Sequence, residues 1–345
     1  IFQQASALSK PPTDIRIQKL EQIIEEQLEL YKIPGLAIAV VQGDKTILVR
    51  GFGIKNIEKQ QAVSEQTIFP IGSLSKQLTA TVAGIRVDEG ALGWDDLIVN
   101  YLPDYRFTHN GEDVPLTLRD TLSHRSGYAR NDTLWSNPAV PQMDIIKAAP
   151  KASPMAEFRS EYHYNNVMYL AAGLTTAYDN SFKWNDTLKD KLLRPLKMNS
   201  TTADYFVASQ DNRLATGYYW NEMSNRFAML PNGNLNNIAP AGGIYSNASD
   251  MAKWLKFLLN EGAVGDHQLI RAETLEEMFA PVIKVSDSYD YGLGWHISQY
   301  NNERLLAHSG NIEGYSAQVA LLPESDIGFA LIMNVSISPL QSLSI

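Results

Sequence analysis

Strand-like runs stand at the two ends of this chain, and the long middle between them is helical in character. "LAIAVVQGDKTILVRGFG", beginning at Leu36, is a pair of aliphatic and β-branched runs around Gly43-Asp44, the pattern of a hairpin. Strand signals return from about residue 290 in "YGLGWHIS", "RLLAHSG", "YSAQVALLP" and "IGFALIMNV". From about 70 to 260 the pattern is helical, broken by loops bearing Gly and Pro. Ahead of the hairpin, residues 14–32 place Ile17, Leu20, Ile24, Leu28 and Tyr31 on one face of an amphipathic helix that Pro34-Gly35 ends. Such an order predicts one sheet assembled from both termini, with a helical region inserted and a cleft where the two meet.

Composition removes several functions. With 44% hydrophobic and 19% charged residues among 345, the chain can bury a sizeable core. A net charge of -9 argues against nucleic acid as a partner, because phosphate binding needs a basic face. The absence of cysteine removes disulfides, thiol catalysis and thiolate metal sites. No apolar run approaches a membrane span. The six histidines show no close pairing and no His-Glu-x-x-His, so neither a metal nor any other cofactor is expected. Gly-x-Ser-x-Gly, the mark of an α/β-hydrolase, is missing.

Candidate chemistry begins in "FPIGSLSKQLTATVAG", where Ser73 and Lys76 open an apolar helix. A serine hydroxyl is a weak nucleophile until a base takes its proton. Residues three apart share a helix face, so Lys76 can reach Ser73, and desolvation in an apolar first turn lowers a lysine toward a base. Ser-x-x-Lys arises about once by chance in a chain this long, and here it occurs once. Penicillin-recognising serine enzymes add a second polar motif and a Lys-Thr-Gly strand. Tyr-x-Asn stands at residues 164, 178, 219 and 300, and only Tyr164-Asn165-Asn166 lies in a turn entering an apolar helix. For the third element, Arg125-Ser126-Gly127 falls in the helical region, whereas His308-Ser309-Gly310 ends a strand at the expected cleft edge and is preferred. Taken singly, Tyr164 reads as a packing aromatic and His308 as a structural histidine; three motifs in order, each in a suitable element, favour a site.

With these motifs the chain resembles the serine β-lactamase-related family, which includes class C β-lactamases, D-alanyl-D-alanine carboxypeptidases, D-aminopeptidases and certain carboxylesterases. "LSHRSGY", "PLKMNSTTAD", "PAGGIYSNASDMAKWLKFLL", "YGLGWHI" and "LLPESDIGFALIMN" resemble its recurring blocks from about residue 17 to 335, and "SHRSGYARNDTLW" with "FRSEYHYNN" looks closest to penicillin-binding-protein-like serine hydrolases. The resemblance implies an α+β fold of the β-lactamase/transpeptidase type in one catalytic domain over residues 1–345. An antiparallel sheet flanked by helices takes up about 14–70 and 285–340, and an all-helical subdomain about 71–284. Several such relatives carry a further C-terminal β-domain, which suits the end at Ile345 just after "SISPLQSLSI" starts what looks like a helix.

The resemblance also implies roles. Ser73 attacks the substrate carbonyl, and Lys76 and Tyr164 share the proton work, Tyr164 as phenolate or as relay. Asn166 bonds Lys76 and the substrate amide. The backbone N–H groups of Ser73 and Asn311 form the oxyanion hole, and His308, Ser309 and Gly310 line the strand side. Histidine stands where class C β-lactamases carry lysine, and a histidine is largely neutral near pH 7, so efficient capture of a β-lactam carboxylate is not expected. The expected partners are small-molecule or peptide substrates, chiefly D-amino-acid-containing peptides, with β-lactams as inhibitors. A carboxylesterase or a weak β-lactamase is the near alternative, with Tyr128, Trp135, Tyr219 and Trp220 as candidate lining of an esterase cleft. A non-catalytic scaffold is the alternative of another class, disfavoured because Ser73, Lys76, Tyr164 and Asn166 are all present. The family's habits suggest a periplasmic or secreted protein, and oligomeric state leaves no mark on the sequence.

Overall fold

A computed structural model describes residues 14–343. Helix α1 (Ile15–Leu30) starts at Asp14, whose carboxylate accepts from the Arg16 N–H. Strands β1 (Gly35–Gln42) and β2 (Lys45–Asn56) form the expected hairpin, and β3 (Gln61–Ala62) follows. After the insertion come β4 (Ile283–Lys284), β5 (Asp290–Tyr291), β6 (His296–Tyr300), β7 (Glu303–Ile312), β8 (Tyr315–Leu322) and β9 (Ile327–Met333). They make one nine-stranded antiparallel sheet in the order β4-β5-β6-β7-β8-β9-β1-β2-β3. The chain's two ends meet where β1 pairs β9, from Leu36 opposite Met333 to Gln42 opposite Ile327.

Alternation along the strands decides the layers. Ala37, Ala39 and Val41, with Val319, Leu321 and Ile332, face the main core shared with the inserted helices. Leu36, Ile38 and Met333 face the other way, where Ile17, Leu20, Ile24, Leu28 and Tyr31 of α1 and its C-terminal turn cover them. Both faces are therefore dry, which is why these strands read as nearly unbroken apolar runs. Helix α2 (Ser75–Asp88) is buried along most of its length and runs through the middle of the insertion. It packs on α3 (Asn166–Thr176), whose eleven residues are all buried.

The insertion departs from the all-helical expectation in two ways. Four two-stranded ladders lie within it, among them Phe69–Pro70 with Tyr245–Ser246 and Gly217–Asn221 with Arg226–Leu230. In the first of these, as in two of the others, the strands have two residues and are too short to show a period in sequence. Moreover, α4 (Ala248–Leu259) packs on β9, β1 and β2, so it serves the sheet although it lies inside the helical stretch. The last residues form α5 (Pro339–Leu343), and Gln341 Nε2 ties it to the carbonyls of Gly310 and Ala317. Among the described residues no helix is long and apolar enough to cross a membrane.

Candidate active site

The chain enters α2 through a tight turn that explains Gly72. Residues Gly72–Leu74 form one 3-10 turn, with Gly72 at φ +54°. A Cβ on Gly72 would stand 2.9 Å from the Asn311 nitrogen, and one on Gly310 only 2.0 Å from the Ile71 carbonyl oxygen. Turn and strand β7 thus touch backbone to backbone, which only glycine permits. The turn is held from behind: Ser75 Oγ donates to the Gly72 carbonyl (2.7 Å) and accepts from the Ile244 N–H (3.1 Å).

Half-buried Ser73 meets Lys76 and Tyr164 at one point. Lys76 Nζ is 3.2 Å from Ser73 Oγ, and it donates to Asn166 Oδ1 and to the Ala241 carbonyl, each at 2.7 Å. Its side chain is fully buried. Burial, reinforced by the nearby Arg130, holds the Lys76 amine well below its ordinary pKa, against the pull of Asp132. A neutral amine has two hydrogens and one lone pair. In that form the two short bonds use the hydrogens and leave the lone pair toward Ser73.

Tyr164 Oη donates to Ser73 Oγ at 2.6 Å. Burial raises this phenol above its ordinary pKa although the Ser73 bond and Arg130 pull it down. The resting group is thus a phenol, not a phenolate. Its ring lies 4.4 Å from the His124 ring, with the Arg130 guanidinium 5.3 Å and Lys76 Nζ 4.6 Å from its centre.

"LSHRSGYARND" and "EYHYNN" deliver Tyr164 together. His124 O accepts from the His163 N–H (2.8 Å), His124 Nδ1 from the Asn165 N–H (3.0 Å), and the Ala129 carbonyl from Asn165 Nδ2 (2.9 Å). Asn165 then caps α3, accepting from Val167 N and Met168 N. Beneath lies Asp120, fully buried and bonded to Arg125 Nε (2.6 Å), Arg159 Nε (2.9 Å) and Arg159 Nη2 (2.7 Å). Burial alone would raise this carboxyl, but Arg159, Thr117 and Arg125 hold it below the usual carboxylate range. Arg125-Ser126-Gly127, the motif set aside, belongs to this anchor; the Gly127 carbonyl accepts from Met155 N and Ala156 N.

Across the cleft, β6 stops pairing with β7 at Ala307, so among the described residues the outer edge of residues 308–312 has no strand partner, and it faces the Gly72 turn. The two-residue turn between Ile312 and Tyr315 closes on a hydrogen-bonded pair, and the next pair, Asn311 with Ser316, does not exchange bonds. The Asn311 N–H is thereby directed to that outer edge, beside Gly72. Ser309 is half-buried there and the Asn311 side chain is exposed.

His308 is only 2% exposed, and both ring nitrogens are engaged within the protein. Nδ1 lies 2.7 Å from the Ser309 carbonyl and must donate to it, which leaves Nε2, 3.1 Å from Tyr291 Oη, to accept. Burial, with His296 and Lys76 near, holds it neutral, well below the ordinary histidine pKa. It sits under the strand edge as a support, and as placed offers substrate no unused polar atom.

Of the four aromatics expected to line the cleft, Trp135 alone joins the site, donating from Nε1 to Asp132 Oδ1 (3.1 Å). Tyr128 is buried, its hydroxyl on the Thr108 carbonyl. Tyr219 and Trp220 belong to the Gly217–Asn221 ladder, where Trp220 packs on Phe227 and under Lys32. Sequence reasoning missed Asp132, which accepts from Asn166 Nδ2 (2.9 Å) and from Arg130 Nε, together with Arg130, His124 and the Ala241 carbonyl. Asp132 opens a single 3-10 turn, too short to show a period, so no local signal marks it.

Comparison with known proteins bears on the chain as a whole. Residues 20–341 match the Beta-lactamase family model. The chain is 28% identical over 336 residues to the unguisins hydrolase ungD' of Aspergillus campestris, and 25% identical over 326 residues to Protein flp of Staphylococcus aureus strain MW2. These alignments take in 91% and 92% of this chain but 60% and 63% of the relatives, so the chain spans about three fifths of their length. Among solved structures, the octameric penicillin-binding protein homologue from Pyrococcus abyssi superposes with a TM-score of 0.80 at 27% identity, over 92% of this chain and 73% of that one.

Proposed function

The chain belongs to the Beta-lactamase family of serine hydrolases, and from that premise we propose that it hydrolyses amide bonds of D-amino-acid-containing peptides through an acyl-Ser73 intermediate. The observation that carries this reading is the placement of Lys76: its two short bonds run to Asn166 Oδ1 and the Ala241 carbonyl at 2.7 Å each, and Ser73 Oγ stands 3.2 Å away, within reach of the lone pair that a neutral amine would have. Ser73 Oγ bonds to the substrate carbonyl carbon while its proton passes to Lys76 Nζ. The oxyanion rests on the backbone N–H groups of Ser73 and Asn311, donors of a kind worth roughly 3–4 kcal/mol each. When the C–N bond breaks, Tyr164 protonates the leaving nitrogen and recovers a proton from Lys76. Water then reverses these steps on the acyl-enzyme. The phenol form of Tyr164 supports the relay role over the phenolate.

With His308 buried and neutral, the strand edge carries no cation for the carboxylate of a β-lactam. β-Lactams should therefore acylate slowly and act as inhibitors more than substrates. The same lack keeps a carboxylesterase as the second reading, since an ester needs no such cation. Relatives and neighbours named as a hydrolase and a penicillin-binding protein homologue are compatible with either.

Intact mass after incubation with benzylpenicillin, and amine release from an acyl-D-alanyl-D-alanine peptide, test the proposal, with Ser73→Ala beside the wild type. An adduct and peptide turnover, both abolished by Ser73→Ala, are expected. Ester turnover with neither would select the esterase, and turnover unaffected by Ser73→Ala would overturn the mechanism.

A further inference from the structure

Resting on that reading of Ser73, we infer that Arg130 is the residue through which this enzyme recognises a carboxylate on its substrate. The charged side chains acting on both Lys76 and Tyr164 are Arg130 and Asp132. Lys76 is sealed inside, and His308 on the strand edge has both nitrogens occupied. Arg130 differs from both. Its side chain is 55% exposed, yet its guanidinium lies over the ring of Tyr164, whose hydroxyl touches Ser73 Oγ.

Its orientation is set in advance. Arg130 Nε donates to Asp132 Oδ2, while Oδ1 of the same carboxylate accepts from Asn166 Nδ2 and Trp135 Nε1. Asp132 is thus fixed by two neutral donors before Arg130 reaches it, and it grips the guanidinium by one edge. A guanidinium has five N–H donors in a planar fork, so the end bearing Nη1 and Nη2 is still able to bind a second carboxylate bidentately. The Arg130–Asp132 pair joins an exposed arginine to a half-buried carboxylate, and ion pairs open to solvent contribute little to stability. Neutralising Asp132 is therefore a weak reason for holding an arginine against the ring of Tyr164; presenting a fixed cation at the mouth of the cleft is a stronger one. The position also implies a different reading of charge from a lysine on the strand, because the carboxylate is met from the wall that bears Tyr164 and Asn166.

The test uses three esters: 4-nitrophenyl hexanoate, neutral; mono-4-nitrophenyl adipate, with a carboxylate in the acyl half; and 3-carboxy-4-nitrophenyl hexanoate, with one in the leaving half. For wild type and R130Q, kcat/KM is taken as the ratio of each anionic ester to the neutral one. Any effect of Arg130 on Lys76 or Tyr164 is common to all three and cancels. The ratio for one anionic ester is expected to fall about tenfold or more in R130Q, the size of a lost charge-assisted bond, and to fall less in R130K. Which ratio falls identifies the half of the substrate that Arg130 meets. Both ratios unchanged, with all three esters turned over at Ser73, would overturn the Arg130 assignment alone. No turnover of any ester, together with no acylation of Ser73 by penicillin, would overturn the hydrolase reading and this inference with it.

Discussion

On the helical wall of the cleft, Ser73, Lys76, Tyr164, Asn166 and Asp132 are joined side chain to side chain in one unbroken run of hydrogen bonds. On the strand wall, Gly310 and Asn311 meet the Gly72 turn through backbone, and the one ionisable side chain there, His308, is turned inward. The first wall stores chemistry in named functional groups. The second supplies a shape and an N–H, which nearly any side chain could carry if the backbone were held in place. Substitution should therefore act by residue chemistry on one wall and by Cβ geometry on the other.

Lys76→Ala is the severest trial of the first half of that contrast. It removes the proposed base and leaves Asn166 Oδ1 and the Ala241 carbonyl without their donor. Acylation measured by stopped-flow with a chromogenic β-lactam should slow by about 10²–10⁴-fold, the usual range for a general base. A rate within a few-fold of wild type would remove Lys76 from the mechanism.

Gly310→Ala tests the second half. Its added methyl would meet the Ile71 carbonyl oxygen, a backbone atom with no flexible way to yield. Overpacking of this kind costs roughly 1–3 kcal/mol, and the denaturant midpoint should drop along with activity. An unchanged midpoint would show that turn and strand are looser than the contact implies.

Acid offers a test of the strand wall's buried support. Burial holds His308 and His124 well below the ordinary histidine value, and His296 at about 4. Because the folded values lie below the unfolded one of about 6.5, the unfolded chain binds more protons beneath that pH. Stability is complete above 6.5 and declines as the pH falls from there toward the folded values. Urea unfolding at pH 7.5 and pH 5 should show the loss, with a shallower slope in His296→Asn. Equal stability at the two pH values would contradict neutral burial.

Asn311→Ala should do least. The exposed side chain is dispensable if the residue contributes its backbone N–H, so kcat/KM should stay within about threefold of wild type. A loss of a hundredfold would mean that the strand wall works through side chains after all, and the contrast between the walls would fail.

What could be read beforehand followed the range of each signal. The hairpin at residues 36–53 and the amphipathic α1 rest on spacing within a few residues, and both formed as expected. The α2 entry was legible for the same reason, since Ser73 and Lys76 are one turn apart. The Phe69–Pro70 ladder, the sheet-facing role of α4 and the place of Asp132 in the site were not, because each depends on where a distant segment passes.

By itself, the sequence determined that strands come from both ends, that the insertion is mainly helical, and that a serine and a lysine stand one turn apart at the entry to an apolar helix. Periodicity is a local property, and burial of one apolar face enforces it wherever the chain goes. Tertiary structure alone decided the rest. Asn166 and Ala241, which take the hydrogens of Lys76, are 90 and 165 residues from it. The inward turn of His308 depends on Tyr291 on another strand, and the outward place of Arg130 depends on Asp132 being held by Asn166. A side chain's ionisation and hydrogen-bond partners are set by what surrounds it in space, and the packing of segments this far apart is not encoded in the spacing of any one of them.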